Sequence, residues 1–207
     1  AINGNHPDID IDLTIDENLT SEISKIAASK GLTSGSWYMA SWALVLQYLG
    51  AGSTPCFGTT VSGRDLAIHG IDQYVGLMIN TLPTVVPINP EHTFSEVAKQ
   101  VHLQSAVIQN NAHISLSDLQ KMISNEGESL FDSLFVLENY PQSRSGGKHF
   151  QVNQIEMREQ SHYPISLAVM PGQRTTFRLS LRTGRIEKHT GEYILELLEK
   201  VLKESVI

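Results

Sequence analysis

Cysteine is almost missing from this sequence. Cys56 is the only one in 207 residues, so an intrachain disulfide is impossible and no cysteine cluster can hold zinc. Long apolar runs are missing too. None approaches the roughly 18 residues that a membrane-spanning helix needs. Basic residues are in deficit, with 15 Lys and Arg against 22 Asp and Glu and a formal net charge of −7. An extended nucleic-acid footprint needs a basic face, so that class of partner is excluded. The opening AINGNHPDID has neither the basic nor the apolar region of a signal peptide, and the expectation is a cytoplasmic protein. Motifs for self-sufficient catalysis are also absent: no GxSxG, P-loop, GxGxxG or HExxH occurs. The eight histidines are scattered without metal-ligand spacing, so no metal site is expected.

What remains is a foldable α/β pattern. Hydrophobic residues make up 41%, enough for a sizeable core. Asp8, Asp10 and Asp12 alternate with Ile9, Ile11 and Leu13, and that period of two predicts a strand with one wet face. Thr20 precedes a helical stretch that puts Ile23, Ile26 and Ala27 on one side and stops at Gly31. The next segment, GSWYMASWALVLQYLG, is apolar on most sides through Trp37, Ala40, Trp42, Val45 and Leu49. It predicts a buried helix, broken at Gly50 and Gly52. TPCFGTTV reads as a buried strand, with Cys56 as a small core residue.

After a polar loop, YVGLMINTLPTVVPI reads as a strand whose pairing Pro83 and Pro87 restrict. Thr93 caps an amphipathic helix running to about Asn110, and Leu116, Leu119 and Met122 mark a short helix. LFDSLFVLEN reads as a strand closed by Tyr140-Pro141, and QSRSGGKHF as a flexible loop. Three strands, FQVNQIEM, ISLAVM and TFRLSLRT, follow, the last two joined by a PGQR hairpin turn. EYILELLEKVLKES ends the chain as an amphipathic helix. The whole reads as one α/β domain, a layered sheet with packed helices.

Four stretches carry chemistry-bearing residues. In Thr59–Arg64, a strand runs into the Ser62-Gly63 turn and then Arg64. An arginine there can make a bidentate pair with a carboxylate and fix a backbone, and composition alone favours an ordinary surface arginine. In Val75–Pro83, which includes Gly76, Asn80 and Thr81 stand within an apolar strand. They must find hydrogen bonds or cost roughly 1–3 kcal/mol each. Local backbone bonding and a polar tunnel wall are both open. His113 follows Asn110-Asn111 at a helix end, where a histidine is ordinarily a cap partner. His162 and Tyr163 precede Pro164, which marks an extended segment. His162 could act as a base, but a structural histidine is the better reading.

In this order, WYMASWALVLQYLGAGSTPCFGTTVSGR, YVGLMINTLPTVVPI, HISLSDLQKM, SLFDSLFVLENYP and SHYPISLAVMPG resemble the condensation domains of nonribosomal peptide synthetases. Met78 occupies the usual aromatic position of the VGxFxNTLP-type motif. The resemblance covers residues 1–207 as the C-terminal lobe alone. The family's HHxxxDG signature belongs to the N-terminal lobe, and no His-His pair occurs here. The resemblance implies a chloramphenicol acetyltransferase-like lobe forming one wall of a tunnel. There an amine attacks a thioester delivered on phosphopantetheine, so the expected partners are the N-terminal lobe and the donor and acceptor peptidyl carrier proteins. No cofactor binds directly and no catalytic residue falls in this lobe.

By the same resemblance, Arg64 pairs with the motif Asp of the other lobe, Ser62 faces the tunnel and Asn80 and Thr81 support its wall. The loop after Arg64 floors it, and a segment near Phe150–Met157 latches onto the other lobe. His113 begins a short family motif whose HQDxPFE form is missing. The isolated lobe is expected to be inactive and, with its junction exposed, to self-associate. An epimerisation or heterocyclisation lobe remains open as an alternative. So does a non-catalytic carrier-docking module using Arg174, Arg178, Arg182 and Arg185 on one hairpin face.

Overall fold

The computed structural model describes residues 9–64, 68–123, 129–138, 162–182 and 184–207. Its centre is a six-stranded mixed sheet made from β1 (Ile9–Thr14), β2 (Cys56–Val61), β3 (Asn80–Val85), β4 (Ser133–Leu137), β5 (Ile165–Met170) and β6 (Thr176–Leu181). The order across the sheet is β1-β6-β5-β4-β2-β3. The β4 strand runs parallel to both β2 and β5, and the other pairings are antiparallel.

Because side chains alternate along a strand, the register sorts residues into transverse rows. One row takes a residue from each strand, Ile11, Leu179, Leu167, Phe135, Thr59 and Leu82, and faces the helices. The neighbouring row, Asp10, Ser180, Ser166, Leu134, Gly58 and Pro83, faces the opposite side. There Ser180 donates to Asp10 at 2.6 Å. Arg178 holds Asp12 through two bonds of 2.8 and 2.9 Å.

The helical layer is built around α2 (Ser34–Leu46), in which 11 of 13 residues are buried. A helix with no polar face must be enclosed on all sides. Here the sheet lies beneath it, and α1 (Glu17–Ser29), α3 (Phe94–Asn110) and α5 (Lys188–Glu204) surround it. Tyr38 meets Phe177 edge-on with centroids 5.2 Å apart, and its hydroxyl bonds Thr175 at 3.1 Å. Trp37 lies 4.7 Å from Phe94 and donates its indole N–H to Ser205 at 2.9 Å, so its one polar atom is satisfied in the core. The short α4 (Leu116–Ile123) lies beside β3.

Local signals explain most element boundaries. Thr93 and Glu96 form a reciprocal capping box at the start of α3. The N-cap of α1 is Asp16, whose carboxylate accepts from Leu19 N–H at 2.8 Å, so the helix begins before the Thr20 expected from sequence. Gly31, at φ 70°, ends it as anticipated. Past α2 the chain widens into a single turn, Gln47–Ala51, in which Gly50 has φ 103°. That turn swings Leu49 outward to 39% exposure, correcting its assignment to the buried face. The α5 helix starts at Lys188, ahead of the stretch read as helical.

The largest difference lies in YVGLMINTLPTVVPI, where only Asn80–Val85 is strand. The preceding residues form a loop containing one 3-10 turn, Ile71–Gln73. As a pairing strand β3 lies at the sheet edge. Val86 and Ile88 donate to Pro55 and Ser53, so the amides of even-numbered residues point at β2 and the donorless nitrogen of Pro83 faces the open edge. Proline there blunts edge-to-edge association. The expected strand FQVNQIEM, the QSRSGGKHF loop and Tyr140-Pro141 lie outside the described residues.

Two tests separate the layers. Phe177→Ala is expected to cost about 3–5 kcal/mol by urea unfolding, since Phe177 is fully buried under α2. Arg178→Ala is expected to cost at most about 1 kcal/mol at neutral pH, because the pair is partly exposed. Hydrogen bonds from Arg178 hold the Asp12 carboxyl below its ordinary value. The folded state therefore binds this proton less tightly than the unfolded chain does. The gap between variant and native protein should be full at neutral pH and narrow as acid protonates Asp12. A gap that widened in acid would contradict this.

Candidate functional site

The β2 strand runs into a turn at Ser62-Gly63, and that turn organises the loop before β3. Gly63 is buried at φ 66°, and a Cβ there would collide with the carbonyl oxygen of Met78. Only glycine allows this close return of the loop backbone onto the turn. The Ser62 hydroxyl accepts from Arg64 N–H at 3.2 Å. The Arg64 guanidinium then reaches across the loop. Nη1 donates to the carbonyls of Ile71 at 3.2 Å and Tyr74 at 3.0 Å, and Nη2 donates to that of Gly76 at 3.4 Å. Ser62, Gly63, Arg64 and Gly76 are thus brought together. The three acceptors of its guanidinium are backbone carbonyls of the loop.

The loop held in this way is apolar and exposed. Ile68, Tyr74, Leu77 and Ile79 are more than half exposed, and Val75 is fully so. Five large apolar side chains exposed along one segment single it out as a candidate contact surface.

Asn80 and Thr81 point to opposite faces of the sheet. Asn80 pairs with Val61 and points to the helical side of the sheet, where Val61, Leu82, Ile108 and Ala112 form a small buried cluster. Its amide donates to the carbonyls of Ala112 at 2.9 Å and Ile114 at 2.7 Å, and its oxygen accepts from Thr81 N–H at 2.8 Å. Asn80 is therefore a clamp on the turn between α3 and α4. Thr81 pairs with Thr60 on the other face, the face that also carries Gly58. His113 sits exposed on the clamped turn.

Sequence reasoning passed over Gly58, Phe131 and Tyr163 as a group. The Phe131 ring lies against Gly58 where a Cβ would stand, and Tyr163 packs on Phe131 at 5.1 Å. An isolated glycine within an apolar strand was the available signal for such close approach. Burial raises the Tyr163 hydroxyl and the Cys56 thiol above their ordinary values, so the Cys56 thiol stays protonated, although Cys56 is half-buried and not the core residue expected from sequence. His162 is exposed, and its carbonyl accepts from Arg182 at 3.0 Å.

The four arginines stand differently on the hairpin. Arg178 alone stands within β6 and is engaged by Asp12, while Arg174 precedes that strand and Arg182 and Arg185 follow it. The expected latch near Phe150–Met157 lies outside the described residues. A groove of about 600 Å³ on the helical side, lined by Leu44, Tyr48, Phe94, Leu197 and Val201 among others, contains none of the candidate residues.

Truncating Asn80 tests its clamp. Asn80→Ala leaves two partly buried carbonyls without their donor and is expected to cost about 1–3 kcal/mol. Hydrogen exchange at Asn111–Ser115 should rise more than in β5. Uniform change across the sheet would show that the clamp is not local.

A family model described as the condensation domain matches residues 5–206. Chondramide synthase cmdD of Chondromyces crocatus is 35% identical over 173 residues, covering 81% of this chain and 4% of that protein. Tyrocidine synthase 2 of Brevibacillus parabrevis is 30% identical over 195 residues, covering 91% of this chain and 5% of that protein. The chain thus spans a small fraction of these curated relatives. Among solved structures, the condensation domain from the Monacolin K polyketide synthase MokA superposes with a TM-score of 0.81 at 19% identity, over 100% of this chain and 50% of that one.

Proposed function

Because the chain belongs to the condensation-domain family, we propose that it is the C-terminal lobe of an amide-forming condensation domain in nonribosomal peptide synthesis. The observation that carries this reading is the family match across residues 5–206, together with coverage of half of a solved condensation-domain chain. The exposed apolar loop from Ile68 to Ile79 supports a surface that the other lobe covers. In this reading the substrates arrive as thioesters on the phosphopantetheine arms of donor and acceptor carrier proteins. The acceptor amine attacks the donor carbonyl, the new C–N bond forms, the C–S bond breaks, and the amine proton leaves as the thiol departs.

Such a reaction makes modest demands on side chains. Aminolysis of a thioester runs downhill, and holding amine and carbonyl in reach supplies much of the rate. This lobe would contribute one tunnel wall and the ordered turn Ser62–Arg64. The HHxxxDG lobe would contribute the base or positioning histidine. No metal or redox group has a part in the scheme.

The test mixes two loaded carrier proteins with this chain, with a separately produced N-terminal lobe, and with both. Amide product is expected only from the combined lobes. Product from this chain alone would refute the assignment of chemistry to the other lobe. Absence of product from two lobes shown to be folded and associated would favour a docking module instead.

A further inference from the structure

The groove on the helical side lies where the core reaches the surface. Leu44, Phe94, Leu197 and Val201 line it, each half-buried against that core. At its rim the chain leaves α2 through the widened turn Gln47–Ala51, a form often found at functional sites. The turn carries Tyr48 and Leu49 outward, and Tyr48 is 69% exposed while still lining the groove. Tyr193 of α5, also exposed, donates its hydroxyl to that of Tyr48 at 3.4 Å. An aromatic knob therefore stands beside an apolar hollow on one surface.

Charge on α5 selects the occupant. Lys188 and Lys203 have carboxylates 3.4 and 2.7 Å away in Glu192 and Glu199. Lys200 and Glu204, the charged residues that line the groove, enter no ion pair among the described residues. One unmatched cation and one unmatched anion a helical turn apart fit a partner carrying the same two charges in reverse order. A second copy turned through 180° presents that order, because an isologous contact is self-complementary. Two α5 helices running antiparallel about an axis level with Leu202 set Lys200 against the partner's Glu204, and Glu204 against the partner's Lys200. The same axis offers each hollow the other copy's knob.

We propose that this groove is a two-fold interface between copies of this chain, with Tyr48 of each copy seated in the groove of the other and Lys200 paired with the partner's Glu204. Aromatic side chains seated in apolar hollows are the common anchors of protein interfaces, and about 600 Å³ leaves room for one. The interface shares no residue with the turn Ser62–Arg64 or the loop Ile68–Ile79. It does not depend on the function proposed above, and it leaves those residues of each copy free.

Sedimentation equilibrium reads the mass, 22.9 kDa for one copy, and the native chain is expected to form a dimer. Lys200→Glu and Glu204→Lys should each weaken it at least about tenfold, since the symmetry repeats every like-charge contact. Mixing the two variants should restore a dimer containing one of each, which also shows that both are folded. Tyr48→Ser should weaken association by a similar factor. A native chain that stays a single copy at roughly 1 mM would overturn the proposal. So would open-ended assemblies, charge variants that dimerise like the native chain, or a mixture that fails to recover the dimer. Native-strength association by Tyr48→Ser would also overturn it. The exposed loop is the rival surface: Val75→Ser/Leu77→Ser should dimerise normally, and loss of the dimer there would move the contact from the groove to the loop.

Discussion

Enclosure of α2 is the constraint on which the rest of the structure depends. Its 13 residues present almost no polar face, so the helix is stable only where apolar surface surrounds it. That requirement places the sheet beneath it and α1, α3 and α5 around it. It also decides which side of every strand faces inward. Once Phe57, Phe135, Leu167 and Phe177 turn toward the helices, the period of two sends Gly58, Leu134, Ser166 and Arg178 to the other face.

The two sides of the sheet then have different characters. The helical side is dry and continuous. The other side carries the Asp10–Ser180 and Asp12–Arg178 contacts on β1 and β6 and the Phe131–Tyr163 pair over β2 and β4. At the β3 edge, Pro83 removes a donor from the open side. The apolar loop that precedes β3 is held by Gly63 and Arg64. Apolar surface lies where side chains, rather than ladder hydrogen bonds, would make the contact.

Much of this was legible in the residues, and the exceptions have physical causes. The α3 helix could be read to its cap because Thr93 and Glu96 satisfy the first-turn donors through their own side chains. The β5–β6 hairpin could be read because alternation and turn residues are local. The stretch Tyr74–Ile79 could not. Its composition is that of a strand, yet a strand needs a partner, and no pattern within the stretch records that its partner is lacking here. Leu49 misled for a related reason: the helical period was carried through Gly50, where the backbone has left helical geometry. Asn80 was readable in principle. It shares parity with Leu82 and Thr84, and Phe57 fixes which parity faces the helices. What sequence could not supply was the turn at Ala112–Ile114 waiting there for a donor.

The place of Arg64 shows why a backbone staple and the carboxylate pairing implied by the family resemblance need not compete. The three acceptors found for its guanidinium are neutral carbonyls. They satisfy donors and fix orientation, but they do not cancel the charge. A guanidinium has five N–H donors, and these bonds use two of its nitrogens. A cation already immobilised in this way has lost most of its rotamer freedom before any partner arrives. An incoming carboxylate would then meet a fixed charge beside an apolar loop, where displaced water strengthens the attraction. Loop order would come first and ion pairing second, with the same side chain serving both.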